Sequence, residues 1–262
     1  MHRGVFGMKE YRLSEDINAS IVDGIIEGYR DYLEVRRQKA RELKIHSAYA
    51  WVKGNHIDHY VALSCEEHGV ASTIAKAGLT WQYLQFAQKD EKILFIVKNA
   101  RYFSIEEVDK GKDVNGLTRA NKASYMNNLM DINSEVEFEE IPARVFNQSF
   151  QLELLEDFQP IKLEDEDTKG MDAKFDRFYI ATYNIGEDYQ IGEIRLWMPN
   201  PANNKAYLIS DLTSFIGQKP GHLFDIEEDL KSALTLTGTA EGVLDAAAFG
   251  IVLDDDVEEQ ES

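Results

Sequence analysis

The chain has one cysteine, Cys65, and no second thiol to pair with it, which excludes an internal disulfide framework and fits a reducing compartment. It also lacks long apolar runs. Ile93–Val97 and Ala246–Leu253 are the longest clean ones, far short of a membrane span. Near the N-terminus, Lys9, Glu10, Arg12, Glu15 and Asp16 interrupt any signal-type apolar core. Neither GxGxxG nor GxxxxGK[ST] occurs, so a phosphate cradle has no support, and no GxSxG nucleophile elbow is present. Cations are scarce: 28 Lys and Arg stand against 47 Asp and Glu, for a net charge of -19. That deficit opposes unaided binding to nucleic acid or an anionic membrane, since any polyanion is repelled before contact. These absences describe a cytoplasmic acidic protein.

What is present supports a packed core. Hydrophobic residues make up 44% and aromatics 11%, enough to exclude wholesale disorder. Ile17, Ile21, Ile25, Tyr29 and Leu33 recur at i+4 and predict a long helix over residues 14–44, capped by Ser14 or Asp16. Its second half turns basic at Arg36, Arg37, Lys39, Arg41 and Lys44, which complements the helix dipole or offers an internal docking site for the acidic tail or a local contact to phosphate. His46–Val52 and His56–Ser64 alternate around Lys53-Gly54-Asn55 and predict a hairpin. Strands are expected at Leu79–Ala87, Ile93–Lys98, Phe178–Tyr183, Gln190–Met198 and Ala206–Ser210. The run Ile93–Val97 suits a strand buried on both faces. Short helices are expected near Arg119–Met130, Asp211–Ile216, Asp225–Leu236 and the Val243, Ala247, Ile251 stripe.

The fold class that results is α+β, with antiparallel hairpins and a mixed sheet, a long N-terminal helix and short C-terminal helices. Residues 1–155 form an N-terminal α+β region and 156–174 an acidic linker or long loop. Residues 175–253 form a C-terminal α+β region, open to being one domain with the first, and 254–262 an acidic tail.

The candidates for chemistry are few. His56, His59, Cys65 and His68 make an HxxH and a CxxH, but five strand-like residues between the pairs would hold them about 20 Å apart, so no metal site is expected from them. A second set joins His56 and Asp58, placed on one strand face, with Glu66 or Glu67 and Lys98. Together these could hold Mg²⁺ or Mn²⁺ for phosphodiester cleavage. In nucleases of the restriction-endonuclease type an acid stands two residues before such a lysine; here Ile96 does. Arg41 and His46 have the Arg-x4-His spacing of an all-helical ribonuclease superfamily, without the all-helical surroundings. Ile74–Thr80 is similar to the turn of a helix-turn-helix, but Ile74 fills the place of the small residue, and a strand or ordinary turn fits better.

The tail offers Asp254, Asp255, Asp256, Glu258 and Glu259 as a partner-binding arm that competes with nucleic acid for a basic protein. The leading expectation is therefore a protein that works through contacts with a basic or nucleic-acid-binding partner, as inhibitor or regulator, with no cofactor. The alternative is a metal-dependent phosphodiesterase or nuclease centred on His56 and Asp58.

Overall fold

A computed structural model describes residues 11–77, 81–113, 116–120, 122–138, 141, 175–218 and 221–243. The expected linker 156–174, the tail 254–262 and most of the Val243, Ala247, Ile251 stripe lie outside them. The architecture is α+β. Helix α1 (Glu15–Glu42) begins as its sequence predicts: Ser14 Oγ accepts a hydrogen bond from the Ile17 amide at 3.3 Å, with Glu15 and Asp16 in the first turn. Its stripe of Ile17, Ile21, Ile25, Tyr29, Tyr32 and Leu33 is buried against the sheet.

The expected hairpin over 46–64 is instead a helical segment. A 3₁₀ turn (Ser47–Ala50) leads into helix α2 (Lys53–Glu66). Ile57 and Val61 satisfy both a period of two and a period of four, and the sequence left the choice open locally. Tertiary packing decides it. Ile57, Val61 and Cys65 form one buried stripe, and α1 presents glycines where α2 crosses. A Cβ on Gly24 would lie 2.4 Å from Val61 Cα, and one on Gly28 2.6 Å from Ile57 Cα. Backbone therefore meets backbone at two points, and their opposite order along the two chains makes the helices antiparallel.

The sheet has six strands in the order β1 to β6: Val70–Ala77, Trp81–Gln88, Ile93–Asn99, Arg177–Ile185, Ile191–Asn200 and Lys205–Asp211. Neighbours are antiparallel except β3 and β4, which pair in parallel from Ile93↔Arg177 to Asn99↔Tyr183. Two three-stranded meanders thus meet at a parallel seam, and the regions before and after the linker share one sheet. Among the described residues between β3 and β4, Phe103, Val108 and helix α3 (Ser124–Met130) cover the face opposite α1 and α2, while Phe138 and Ile141 pack into the α1/α2 core. The double-sided burial expected of β3 follows. Ile93 and Phe95 face the α1/α2 core, while Leu94 and Ile96 face Phe103, Met126 and Met130. Helices α4 (Thr213–Ile216) and α5 (Glu228–Val243) close the C-terminal side, and Leu230 and Leu234 of α5 enter the first core.

Two side chains finish the sheet where its backbone ladder fails. Pro199 in β5 has no N–H to offer β4. The fully buried Asn133 lies across the gap: its Nδ2 donates to Phe178 O (3.0 Å) and Pro199 O (2.8 Å), and its Oδ1 accepts from Phe178 N (2.7 Å). On the other side of the molecule, β2 pairs with β3 only over Phe86–Gln88. The Leu84 amide lies outside that stretch, and Asp58 Oδ2 accepts it at 2.9 Å.

The glycine contacts separate two kinds of substitution. Gly28→Ala forces the helix backbones apart and should cost about 3 kcal/mol, read as a lower urea midpoint. Gly54→Ala, in the first turn of α2 with nothing within 4 Å of the new Cβ, should stabilise by roughly 0.5–1 kcal/mol. Equal effects at both positions would refute the close-contact account of the α1/α2 pair.

Candidate functional site

On the outer face of α1, Glu27, Asp31 and Glu34 stand at i, i+4 and i+7 and make one acidic stripe, with Arg30 and Arg37 beside it. Across from it runs the chain that leads into α5. Gly221 O accepts from Arg30 Nη2 at 2.7 Å, and Asp225 O accepts from Arg37 Nη2 at 3.2 Å. Phe224 is fixed from both ends: its amide donates to Gln190 Oε1 (2.9 Å) and its carbonyl accepts from Gln190 Nε2 (3.0 Å). The Phe224 ring sits edge-on to Tyr29, with centroids 5.2 Å apart. Between these walls and Tyr60 of α2 lies an open groove of about 430 Å³, lined also by Leu33, Leu223 and Asp225.

Asp31 is the carboxylate around which the groove is organised. Its Oδ2 is 2.6 Å from His56 Nδ1, and its side chain keeps 41% of its surface exposed. The His56 ring meets Tyr32 edge-on at 6.2 Å, and Lys53 Nζ lies 5.5 Å from the Tyr32 ring centre. Burial first, then the Asp31 and Glu27 charges and a hydrogen bond to Asp31, raise the pKa of the Tyr60 phenol. It stays a hydrogen-bond donor at neutral pH.

The basic half of α1 has a structural use. Arg36 is fully buried and donates from Nη2 to Ala233 O of α5 at 2.8 Å. Arg41 Nη2 lies 2.9 Å from Asp229 Oδ2 and 3.8 Å from Glu227 Oε2. The hydrogen bond from Arg41 holds the Asp229 carboxyl below its ordinary range. Arg30 pairs with Glu27, Arg37 with Glu34, and Lys39 with Glu42 at 2.7 Å. Arg30, Arg36, Arg37 and Arg41 thus hold residues 221–233, whose acids and carbonyls they engage, whereas the acidic tail expected to dock on the basic run lies outside the described residues. Arg41, the arginine of the Arg-x4-His spacing, is part of this set and belongs to a chain built around a sheet.

The set expected for phosphodiester chemistry is dispersed. On a strand His56 and Asp58 would share a face; on α2, two positions apart, they diverge, His56 toward α1 and Asp58 toward β2. Glu66 and Glu67 are exposed at the far end of α2. Lys98 is on the sheet's opposite face, its Nζ 3.1 Å from the Tyr125 hydroxyl and 5.6 Å from that ring's centre. The zinc-like quartet is separated for a helical reason rather than the strand reason expected: Cys65 is in the core while His59 points outward. Burial alone pushes the Cys65 thiol up to about 12. Among the described residues, no group of three or more His, Cys, Asp or Glu is placed to hold a metal ion. Nor, among them, is any helix long and apolar enough to cross a membrane.

Sequence reasoning passed over Asp31, Tyr60 and Phe224. The i, i+4, i+7 acids were legible as the polar face of α1, but nothing local marks that face as one wall of a groove. The opposite wall arrives from nearly 200 residues further along the chain. Comparison with protein-family models, with curated proteins and with solved structures finds no match for this chain.

Asp58 generates a pH prediction. Burial, partly offset by the Leu84 hydrogen bond, raises its carboxyl from 3.8 to about 7. The folded state therefore keeps a proton that the unfolded chain has lost between about pH 4 and pH 7, and stability falls as pH rises through that window. Asp58→Asn keeps an acceptor for the Leu84 amide and removes the cost. The variant should match the wild type near pH 4 and exceed it by roughly 2–4 kcal/mol above pH 7. Denaturant melts across pH 4–8 check this, and parallel curves for the two proteins would contradict it.

Proposed function

We propose that the protein acts through contact with a basic protein, as an inhibitor or regulator of a partner that itself binds nucleic acid. The observation that carries this reading is the division of charge. The cations of α1 from Arg30 to Arg41 are engaged by this chain's own acids and carbonyls. Glu27, Asp31, Glu34 and Asp225 line an open groove beside only two guanidiniums, Arg30 and Arg37, within a chain of net charge -19. Such a surface steers a cationic partner and repels a polyanion. Asp254, Asp255, Asp256, Glu258 and Glu259 extend the same sign and serve as a second electrostatic arm. A cytoplasmic location suits this role. A partner with a basic nucleic-acid-binding face would be blocked by charge occupancy, with no bond made or broken. The phosphodiesterase alternative is not carried forward, because His56, Asp58, Glu66 and Lys98 have no common centre.

The test is a tagged pull-down from the native host after nuclease treatment, with bound proteins identified by mass spectrometry. A stoichiometric basic protein that elutes with salt is the expected outcome. Removing residues 254–262 should then raise Kd about tenfold at low salt and flatten the salt dependence. Recovery of the protein alone would sink the reading.

A further inference from the structure

Resting on that reading of a basic partner, the geometry points to a seat for one arginine side chain of the partner in the groove between α1, α2 and residues 223–225. The groove already shows how it treats a guanidinium. Arg30 of this chain lies over the Phe224 ring, 5.7 Å from its centre, with the Glu27 carboxylate and the Gly221 carbonyl as acceptors. The aromatic ring and the carboxylate of that combination recur beside it along the groove. Tyr60 supplies a second ring, Asp31 a second carboxylate and Leu223 an apolar step. Leu223 is 69% exposed, a large hydrophobic side chain set next to acids. It suits the aliphatic stem of a long cationic side chain better than it suits water.

The charges in the groove favour the same occupant. Its walls carry four carboxylates, Glu27, Asp31, Glu34 and Asp225, against two guanidiniums, Arg30 and Arg37. Both guanidiniums are held, by Glu27 and Glu34 respectively, so the excess carboxylate of the groove lies at Asp225 and at Asp31, whose Oδ2 also meets His56 Nδ1 at 2.6 Å. Asp31 has carboxylate lone pairs beyond those used by His56 and Tyr60, and 41% of its side chain faces solvent. Arginine fits this seat better than lysine, because a planar, weakly hydrated fork can stack on a ring while it engages a carboxylate through two N–H groups. Asp31 is the anchor, Tyr60 the platform and Leu223 the stem contact.

The experiment is an NMR titration of the ¹⁵N-labelled full chain with acetyl-Gly-Gly-Arg-Gly-Gly-amide and with its neutral citrulline counterpart. Saturable shifts at the amides of Asp31, Tyr60 and Leu223 are expected with arginine and not with citrulline. Asp31→Asn should weaken binding by about tenfold or more, the loss expected for one charge-assisted contact. Leu223→Ser, a change at an exposed position that leaves the fold intact, should weaken it about threefold. Deleting residues 254–262 should leave the titration unchanged. Equal shifts with citrulline, or unchanged affinity in both point variants, would overturn the site. Peptide binding without any captured partner would uphold the site and sink the partner reading; capture of a basic protein without peptide binding would do the reverse.

Discussion

The rest of the structure depends on the backbone contact between α1 and α2. At Gly24 and Gly28 the two helices approach so closely that no Cβ fits between them. This contact sets the rotation of α2 about its own axis. Ile57, Val61 and Cys65 are turned into the core, and the polar residues between them must then point to either side. His56 consequently reaches Asp31 and Asp58 reaches the Leu84 amide, which are the two polar consequences of one packing decision. A side chain at either glycine would move both groups together, because neither can shift without the helix that carries it.

The sheet shows the same dependence of polar detail on packing. It is a mixed sheet made from two antiparallel meanders, and its ladder has gaps where the meanders are irregular. At one gap a proline withholds a donor, and Asn133 supplies it; at the other, β3 ends its pairing early, and Asp58 supplies an acceptor. The two solutions differ in consequence. A neutral amide with all its bonds made has no titration to couple to folding. A carboxylate in the same service carries a charge that burial opposes, so the cost varies with pH. Acid at position 58 is the less stable solution at neutral pH.

Much of this was legible in the residues themselves. The i+4 stripe from Ile17 to Leu33 and the Ser14 cap defined α1, and the apolar run at Ile93–Val97 announced a strand with two buried faces. The strands after residue 175 were expected at Phe178–Tyr183, Gln190–Met198 and Ala206–Ser210, and β4, β5 and β6 stand there. Helix α2 was not legible, because Ile57 and Val61 fit both periods and Gly54-Asn55 resembles a hairpin turn. Only the glycines of α1, 30 or so residues earlier, resolve it. The groove was hidden for a related reason. Its acids read as an ordinary polar helix face until Phe224, held by Gln190 and Tyr29, arrives opposite them.

Charge partition follows from the same geometry. A long helix with Glu15 and Asp16 in its first turn and Lys39 and Arg41 in its last would face solvent with both, and the macrodipole would account for them adequately. The return of the chain at 221–233 changes their standing. Arg36 is buried against an α5 carbonyl, and Arg30, Arg37 and Arg41 meet carbonyls or acids of the returning segment. Positive charge is thereby drawn into the interface between α1 and the C-terminal chain. The acids one turn away stay outside, and an acidic groove is the remainder. Leu223 and Phe224 enter this groove because the same arginines hold the backbone that carries them, so the apolar and acidic walls have a single cause. The electrostatics that close the fold and those that face outward are two sides of one set of contacts.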